Sequence, residues 1–202
     1  MKLYFSPGAC SLSPHIALLE AGLEFTTERV DIRARKTAGG ADFLAINPKG
    51  YVPALELKDG AVLTEGPAIV QFIADLVPDR QLAPANGTLE RYRLIEWLNF
   101  ISTEVHKSFS PLFRPTSTEE MKEAARTHLN NRLGWIAGQL EGRDYLMGSQ
   151  FTVADAYLFT VLGWANFVQF DLSAWPVLAA YTQRVGARPA VQQALRDEGL
   201  IK

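Results

Sequence analysis

Lys2-Leu3-Tyr4-Phe5-Ser6-Pro7-Gly8-Ala9-Cys10-Ser11-Leu12-Ser13-Pro14 opens the 202-residue chain. Lys2 to Phe5 reads as a strand, Pro7-Gly8 as a turn, and Pro14–Ala21 as a helix closed by Gly22. Pro14 suits a first helical turn, where its missing N–H costs nothing. Cys10, the one cysteine of the chain, therefore lies where a strand passes into a helix. Unpaired backbone N–H groups and the positive end of a helix dipole at such a junction favour thiolate over thiol. The alternative is a buried, inert cysteine.

Outward from that junction, the first part of the chain alternates between strand and helix patterns. Phe25–Ile32 alternates in strand fashion. Ala54–Leu57 and Ala61–Leu63 flank Lys58-Asp59-Gly60, an Asp-Gly hairpin signal. Glu65–Leu76 reads as a helix with Pro67 early and Ile69, Phe72, Ile73 and Leu76 on one side. The order is β-α-β, a longer connection, then β-β-α: a small α/β sandwich. The turn-rich stretch from Pro78 to Gly87 reads as a linker. Beyond it only helix patterns occur. Leu94, Leu98, Ile101 and Val105 form one apolar stripe, and Leu129, Leu133, Ile136 and Leu140 another. Ser117-x-x-Glu120 and Thr152-x-x-Asp155 read as capping boxes. The expected division is residues 1–78, a linker at 79–87, and an all-helical part at 88–202.

Composition narrows the function classes. Twenty basic and twenty-two acidic residues give a net charge of −2, which argues against a nucleic-acid binder that relies on bulk attraction to phosphate. A single cysteine excludes an internal disulfide framework and a cysteine-based zinc cluster. The three histidines lack ligand spacing, so no metal is expected, and Gly39-Gly40 is too isolated for a phosphate loop. The N-terminus lacks the long apolar region of a signal peptide. The most apolar stretch, Phe151 to Phe170, is broken by Asp155, Thr160, Asn166 and Gln169 and reads as a buried helix. A cytoplasmic enzyme without membrane or nucleic-acid partners is the expectation.

Several residues could carry chemistry. Cys10-x-x-Ser13 resembles a redox motif without its second cysteine, so disulfide chemistry needs an outside thiol such as glutathione. Asn99, Thr103 and His106 recur at i, i+4 and i+7, next to Lys107. They form either a solvated stripe or the wall of a cleft, where His106 and Lys107 would stabilise a thiolate by charge and hydrogen bonding. Val52-Pro53 precedes a strand. If its peptide bond is cis, the Val52 backbone turns outward, where an extended peptide could pair with it. Glu65-Gly66-Pro67 opens a helix: the Gly66 N–H suits a carboxylate and the Glu65 carboxylate an ammonium, or the triplet is simply an acidic helix start. His15 reads as structural and His128 as a surface residue.

Taken together, Cys10, Val52-Pro53, Glu65-Gly66, the Asn99 to Lys107 stripe and the Thr-x-x-Asp cap resemble a bacterial cytosolic glutathione transferase, most closely the beta class, over the whole chain. The resemblance implies a thioredoxin-like domain joined to a helical-bundle domain, assembled as a homodimer, with glutathione as co-substrate and a role in detoxification. It implies Cys10 beside the glutathione sulfur, the Val52 backbone on its cysteinyl part, and Glu65 and Gly66 on its γ-glutamyl end. Asn99, Glu104, His106 and Lys107 would approach from the helical domain. Arg35, in competition with Arg33 and Lys36, would contact the glycyl end. Where the family often has Ser, this chain has Gly66. Tyr4 and Ser11 lie near the hydroxyl positions of other classes. A hydrophobic electrophile would sit in the interdomain cleft, with Phe109, Phe113, Tyr157 and Trp164 as candidates to line it. The implied activity is transfer of the glutathione thiolate to an electrophilic carbon, including dehalogenation, with a Cys10–glutathione mixed disulfide as a second possibility. The alternatives are a glutathione-dependent thiol–disulfide oxidoreductase and a non-catalytic binding module of the same fold.

Overall fold

A computed structural model describes all 202 residues. The chain forms two compact units: Met1–Ala83 with Arg188–Lys202, and Pro84–Ala187.

In the first unit, β1 (Lys2–Phe5), α1 (Leu12–Ala21), β2 (Thr26–Asp31), β3 (Lys36–Thr37), α2 (Phe43–Ile46), β4 (Ala54–Glu56), β5 (Val62–Thr64) and α3 (Gly66–Asp75) follow in sequence. The sheet order is β3-β2-β1-β4-β5. β1 and β2 are parallel, joined by α1, while β4 runs antiparallel to both β1 and β5. Side chains alternate across the strands. Tyr4, Val30 and Ala54 meet Phe43 and Val52 on one face. Leu3 and Phe5 point to the other, where the Phe5 ring lies 6.0 Å from His15 of α1. α1 packs against α3 and against α9 (Pro189–Asp197).

The hairpin forms at the expected Asp-Gly turn, where Gly60 has φ +85° and Leu57 N–H donates to Ala61 C=O at 2.8 Å. Two elements escaped the sequence pattern: β3, a two-residue edge strand, and α2, a single turn capped by Asp42. Both are too short for periodicity to register. The C-terminal boundary also differs from the expected one. Arg188–Lys202 belongs with the first unit, where the Arg188 guanidinium grips Glu20 of α1 through Nε at 2.6 Å and Nη2 at 2.8 Å. Part of the expected linker, Pro78–Arg80, is one 3₁₀ turn.

The second unit holds α4 (Leu89–Phe100), a π-helical turn (Ile101–His106), α5 (Lys107–Phe113), α6 (Glu119–Leu140), α7 (Val153–Phe167) and α8 (Pro176–Gly186). Both apolar stripes read from the sequence are buried. α7 is buried almost all round, as its composition requires. Its N-terminus carries the expected box: Asp155 accepts from Thr152 N–H at 2.8 Å. The other box is shifted. Thr118, not Ser117, caps α6 by accepting from Met121 N–H at 3.2 Å. No helix is long and apolar enough to cross a membrane.

Candidate active site

In the first unit, the turn between β1 and α1 presents Cys10. Gly8 has φ +69°, a conformation that glycine adopts without a Cβ penalty. Ser11 closes the turn: its buried hydroxyl accepts from Ser6 N–H at 3.1 Å and donates to Ser6 C=O at 3.3 Å. Gly8 N–H donates to Glu198 at 2.9 Å, and the other oxygen of Glu198 lies 3.0 Å from His15 Nδ1. His15 is therefore structural, as expected, and part of the support beneath the cysteine. Within the first turn of α1 itself the N–H groups are paired. Leu12 N–H donates to Ala9 C=O and Ser13 N–H to Cys10 C=O, while Pro14 has none. The helix dipole at this end still favours an anion.

Cys10 is partly exposed. Its thiol donates to Val52 C=O at 3.3 Å. The Val52-Pro53 peptide bond is cis. The loop before it is stitched by Asn47, whose side chain donates to Tyr51 C=O at 2.7 Å and accepts from Lys49 N–H at 3.2 Å. Gly50 has φ +75°, and an added Cβ there would meet Leu44 at 3.1 Å and the Arg35 guanidinium near 3.9 Å. Arg35 thus lies over the loop that leads to Val52. Arg33 N–H instead closes a turn on Asp31, and Lys36 belongs to the edge strand β3.

Glu65 has φ +69°, a sparsely populated conformation for a residue with a Cβ and one that occurs preferentially at functional sites. Its carboxylate meets Lys49 Nζ at 2.6 Å, and Nζ also donates to the Thr64 hydroxyl at 3.0 Å. Glu65 raises the Lys49 pKa through that hydrogen bond. Sequence reasoning missed Lys49, which lies in a loop without periodicity, sixteen residues from its partner. Gly66 begins α3, and a Cβ there would stand 3.9 Å from Pro53 Cγ, an ordinary contact.

The two rival hydroxyls are spent. Ser11 is committed to Ser6. Tyr4 donates to Glu56 at 2.6 Å, and burial, followed by Glu56, pushes its pKa well above the ordinary range.

In the second unit, the π-helical turn changes the expected stripe. An i→i+5 pattern adds a residue to the turn and rotates the succeeding side chains by about 100° relative to an α-helix. Asn99 and Thr103 stay exposed. His106 instead turns its ring onto α7, with Nδ1 2.7 Å from the Tyr157 hydroxyl and the Trp164 ring centroid 4.6 Å away. Burial, aided by the charge of Lys107, lowers the His106 pKa to about 4. That shift favours the neutral imidazole at pH 7, which acts on a thiolate through a hydrogen bond. Lys107 is exposed. Glu104 pairs with α6: its carboxylate meets Arg132 at 2.8 Å and His128 at 3.4 Å.

The aromatic candidates cluster on Trp164. Phe109 and Phe113 both lie 5.8 Å from its ring, nearly perpendicular to it. Phe113 is half-exposed, but Phe109 is fully buried and lies behind as support. Tyr157 is 3 % exposed and holds His106 rather than lining open space. Phe170, 6.4 Å from Phe109, joins the cluster unannounced by any helical spacing. No group of His, Cys, Asp or Glu side chains is placed to hold a metal ion.

The chain is similar to known proteins along its whole length. Residues 8–76 match the family described as glutathione S-transferase, N-terminal domain, and residues 100–189 match glutathione S-transferase, C-terminal domain. Glutathione S-transferase GstA of Escherichia coli O157:H7 is 50% identical, over 99% of this chain and 100% of that protein. The solved structure of a bacterial beta-class glutathione S-transferase from Sphingomonas chungbukensis is 53% identical, with a TM-score of 0.97 and full coverage of both chains. A sphingomonad glutathione S-transferase solved in complex with glutathione is 51% identical, with a TM-score of 0.96 and again full coverage of both.

Proposed function

Because this chain belongs to the glutathione S-transferase family, with beta-class members among its structural neighbours, we propose that it joins the glutathione thiolate to hydrophobic electrophiles. It is a glutathione transferase, and glutathione is its co-substrate. In the proposed site, the Val52 backbone pairs with the cysteinyl part of glutathione, beside Pro53. Gly66 N–H takes the γ-glutamyl carboxylate and Glu65 its ammonium, in exchange for Lys49. Glu65 and Lys49 are both exposed, so that exchange costs little. The Arg35 guanidinium takes the glycyl carboxylate. From the second unit, His106 contributes an N–H donor and Lys107 a charge, with Asn99 and Glu104 as further glutathione contacts. The half-exposed Phe113, backed by the buried Trp164, offers the electrophile an apolar surface.

The observation that carries this reading is the Cys10 thiol, 3.3 Å from Val52 C=O, with the Ser11 and Tyr4 hydroxyls already occupied. Lowering a thiol pKa from about 9 to about 6.5 takes roughly 3.4 kcal/mol of differential stabilisation. A helix dipole and a hydrogen bond from the imidazole supply that jointly. The same thiolate serves dehalogenation, by attack on a chlorinated carbon. The position of Cys10 favours a second activity, thiol–disulfide exchange through a mixed disulfide with glutathione. We also propose a homodimer. Leu89 and Tyr92, at i and i+3 on α4, are both more than half exposed, an apolar pair suited to a subunit contact.

Calorimetric titration with glutathione tests the site. Glu65→Gln removes the charge offered to the ammonium and should weaken binding about tenfold. Unchanged affinity would remove Glu65 from the site.

A further inference from the structure

The aromatic cluster of the second unit contains one polar arrangement that the proposed function leaves unused. His106 has two ring nitrogens. Nδ1 lies 2.7 Å from the Tyr157 hydroxyl. Such a separation is ordinary for an O–H donor and at the short end for an N–H donor. A phenol O–H donates readily, and a neutral imidazole has one nitrogen able to accept. We propose that Tyr157 donates to Nδ1 and so fixes His106 as the tautomer that carries its proton on Nε2. The proposal rests on the reading that His106 serves the glutathione sulfur. It makes Tyr157 a positioning residue, rather than part of the lining for the electrophile.

Three features support it. Tyr157 and Trp164 are i and i+7 on α7 and share one face of that helix. The two rings flank the imidazole at 6.0 and 4.6 Å, at 74° and 84° to it. Their edges and faces restrict rotation of the imidazole, so the hydrogen bond to Nδ1 sets where Nε2 points. The neutral state of His106, imposed by burial and by Lys107, makes the tautomer matter. A doubly protonated ring would donate from both nitrogens, whereas a neutral ring donates from one. With the phenol O–H donating to Nδ1 and keeping its proton, the single ring proton stays on Nε2. An Nε2–H group can then donate to a thiolate, which an unprotonated Nε2 cannot do.

The test begins with the wild-type protein and needs no variant. Nitrogen NMR of ¹⁵N-histidine-labelled protein at pH 7 should show His106 with a protonated Nε2 and an unprotonated Nδ1. A protonated Nδ1 would overturn the proposal. Tyr157→Phe keeps the ring and removes the hydroxyl. It should give a mixture of tautomers, and an unchanged tautomer would again overturn the proposal. With glutathione bound, the variant should show a thiol titration shifted to higher pH, read from thiolate ultraviolet absorbance. Its kcat should fall about tenfold, with KM for glutathione little changed. A merely structural role would not move the tautomer or the thiol titration. A changed tautomer with an unchanged thiol titration would leave the assignment of Tyr157 standing and remove His106 from the glutathione reading.

Discussion

At the scale of single residues, Cys10 and His106 carry separable consequences. Cys10→Ala should abolish reduction of glutathione mixed disulfides while leaving part of the conjugating activity, because the conjugated sulfur belongs to glutathione. Assay of both reactions on one preparation checks this, and equal loss of both would contradict the division. His106 titrates near 4 in the folded protein, against an ordinary value of 6.5. Between those values the unfolded chain binds the extra proton. Stability from the neutral ring is therefore present above pH 6.5 and is lost as pH falls toward 4, by at most about 3 kcal/mol. Urea unfolding should show a shallower loss over that window in His106→Gln than in the wild type. Identical pH profiles would contradict the buried, neutral imidazole. Cys10 stood out in the sequence because a lone thiol at a strand-to-helix junction needs no alignment to notice. The charge state of His106 was not legible there, because it depends on burial and on ring neighbours on α7.

At the scale of elements, two helix starts are most exposed to test. Asp155 is buried at the head of α7, where burial raises its pKa. It accepts from Leu146 N–H, from the backbone and hydroxyl of Thr152, and from the Tyr181 hydroxyl, all at 2.8–3.0 Å. Asp155→Ala leaves those donors buried without their acceptor and should cost at least about 3 kcal/mol in urea unfolding. A cost under about 1 kcal/mol would contradict its place as the anchor of α7. At the head of α3, Gly66→Ser should be accepted, since the new Cβ meets Pro53 at 3.9 Å. The added hydroxyl should tighten glutathione binding a few-fold by calorimetry, and weaker binding would count against the γ-glutamyl assignment. The Thr152-x-x-Asp155 box and the apolar stripes were legible because capping and periodicity are local. The π-helical turn was not. An α-helical extrapolation from Asn99 to His106 assumes 3.6 residues per turn, and the inserted residue breaks that count between them.

At the scale of the whole molecule, the C-terminal segment is the feature that sequence order conceals. Residues after Ala187 follow a run of helices and read as one more, yet they complete the first unit. Nothing local in α9 signals this. The signal is the fit of Glu198 to Gly8 and His15, and of Arg188 to Glu20, more than 165 residues away in the chain. The order β-α-β then β-β-α was legible, because strand and helix periods differ and the Asp59-Gly60 turn fixes the hairpin register. Glu198→Ala should destabilise the protein by about 2–4 kcal/mol, by removing the carboxylate that joins the Gly8 N–H to the buried His15. Whether Cys10 lies in a glutathione site is read from the mass of the native protein after incubation with oxidised glutathione. Attack by the Cys10 thiolate on the disulfide forms a protein–glutathione disulfide and releases one glutathione thiolate. The expected result is a gain of one glutathione per chain, reversed by reductant and absent in Cys10→Ala. No adduct, in a protein that binds glutathione by calorimetry, would contradict it.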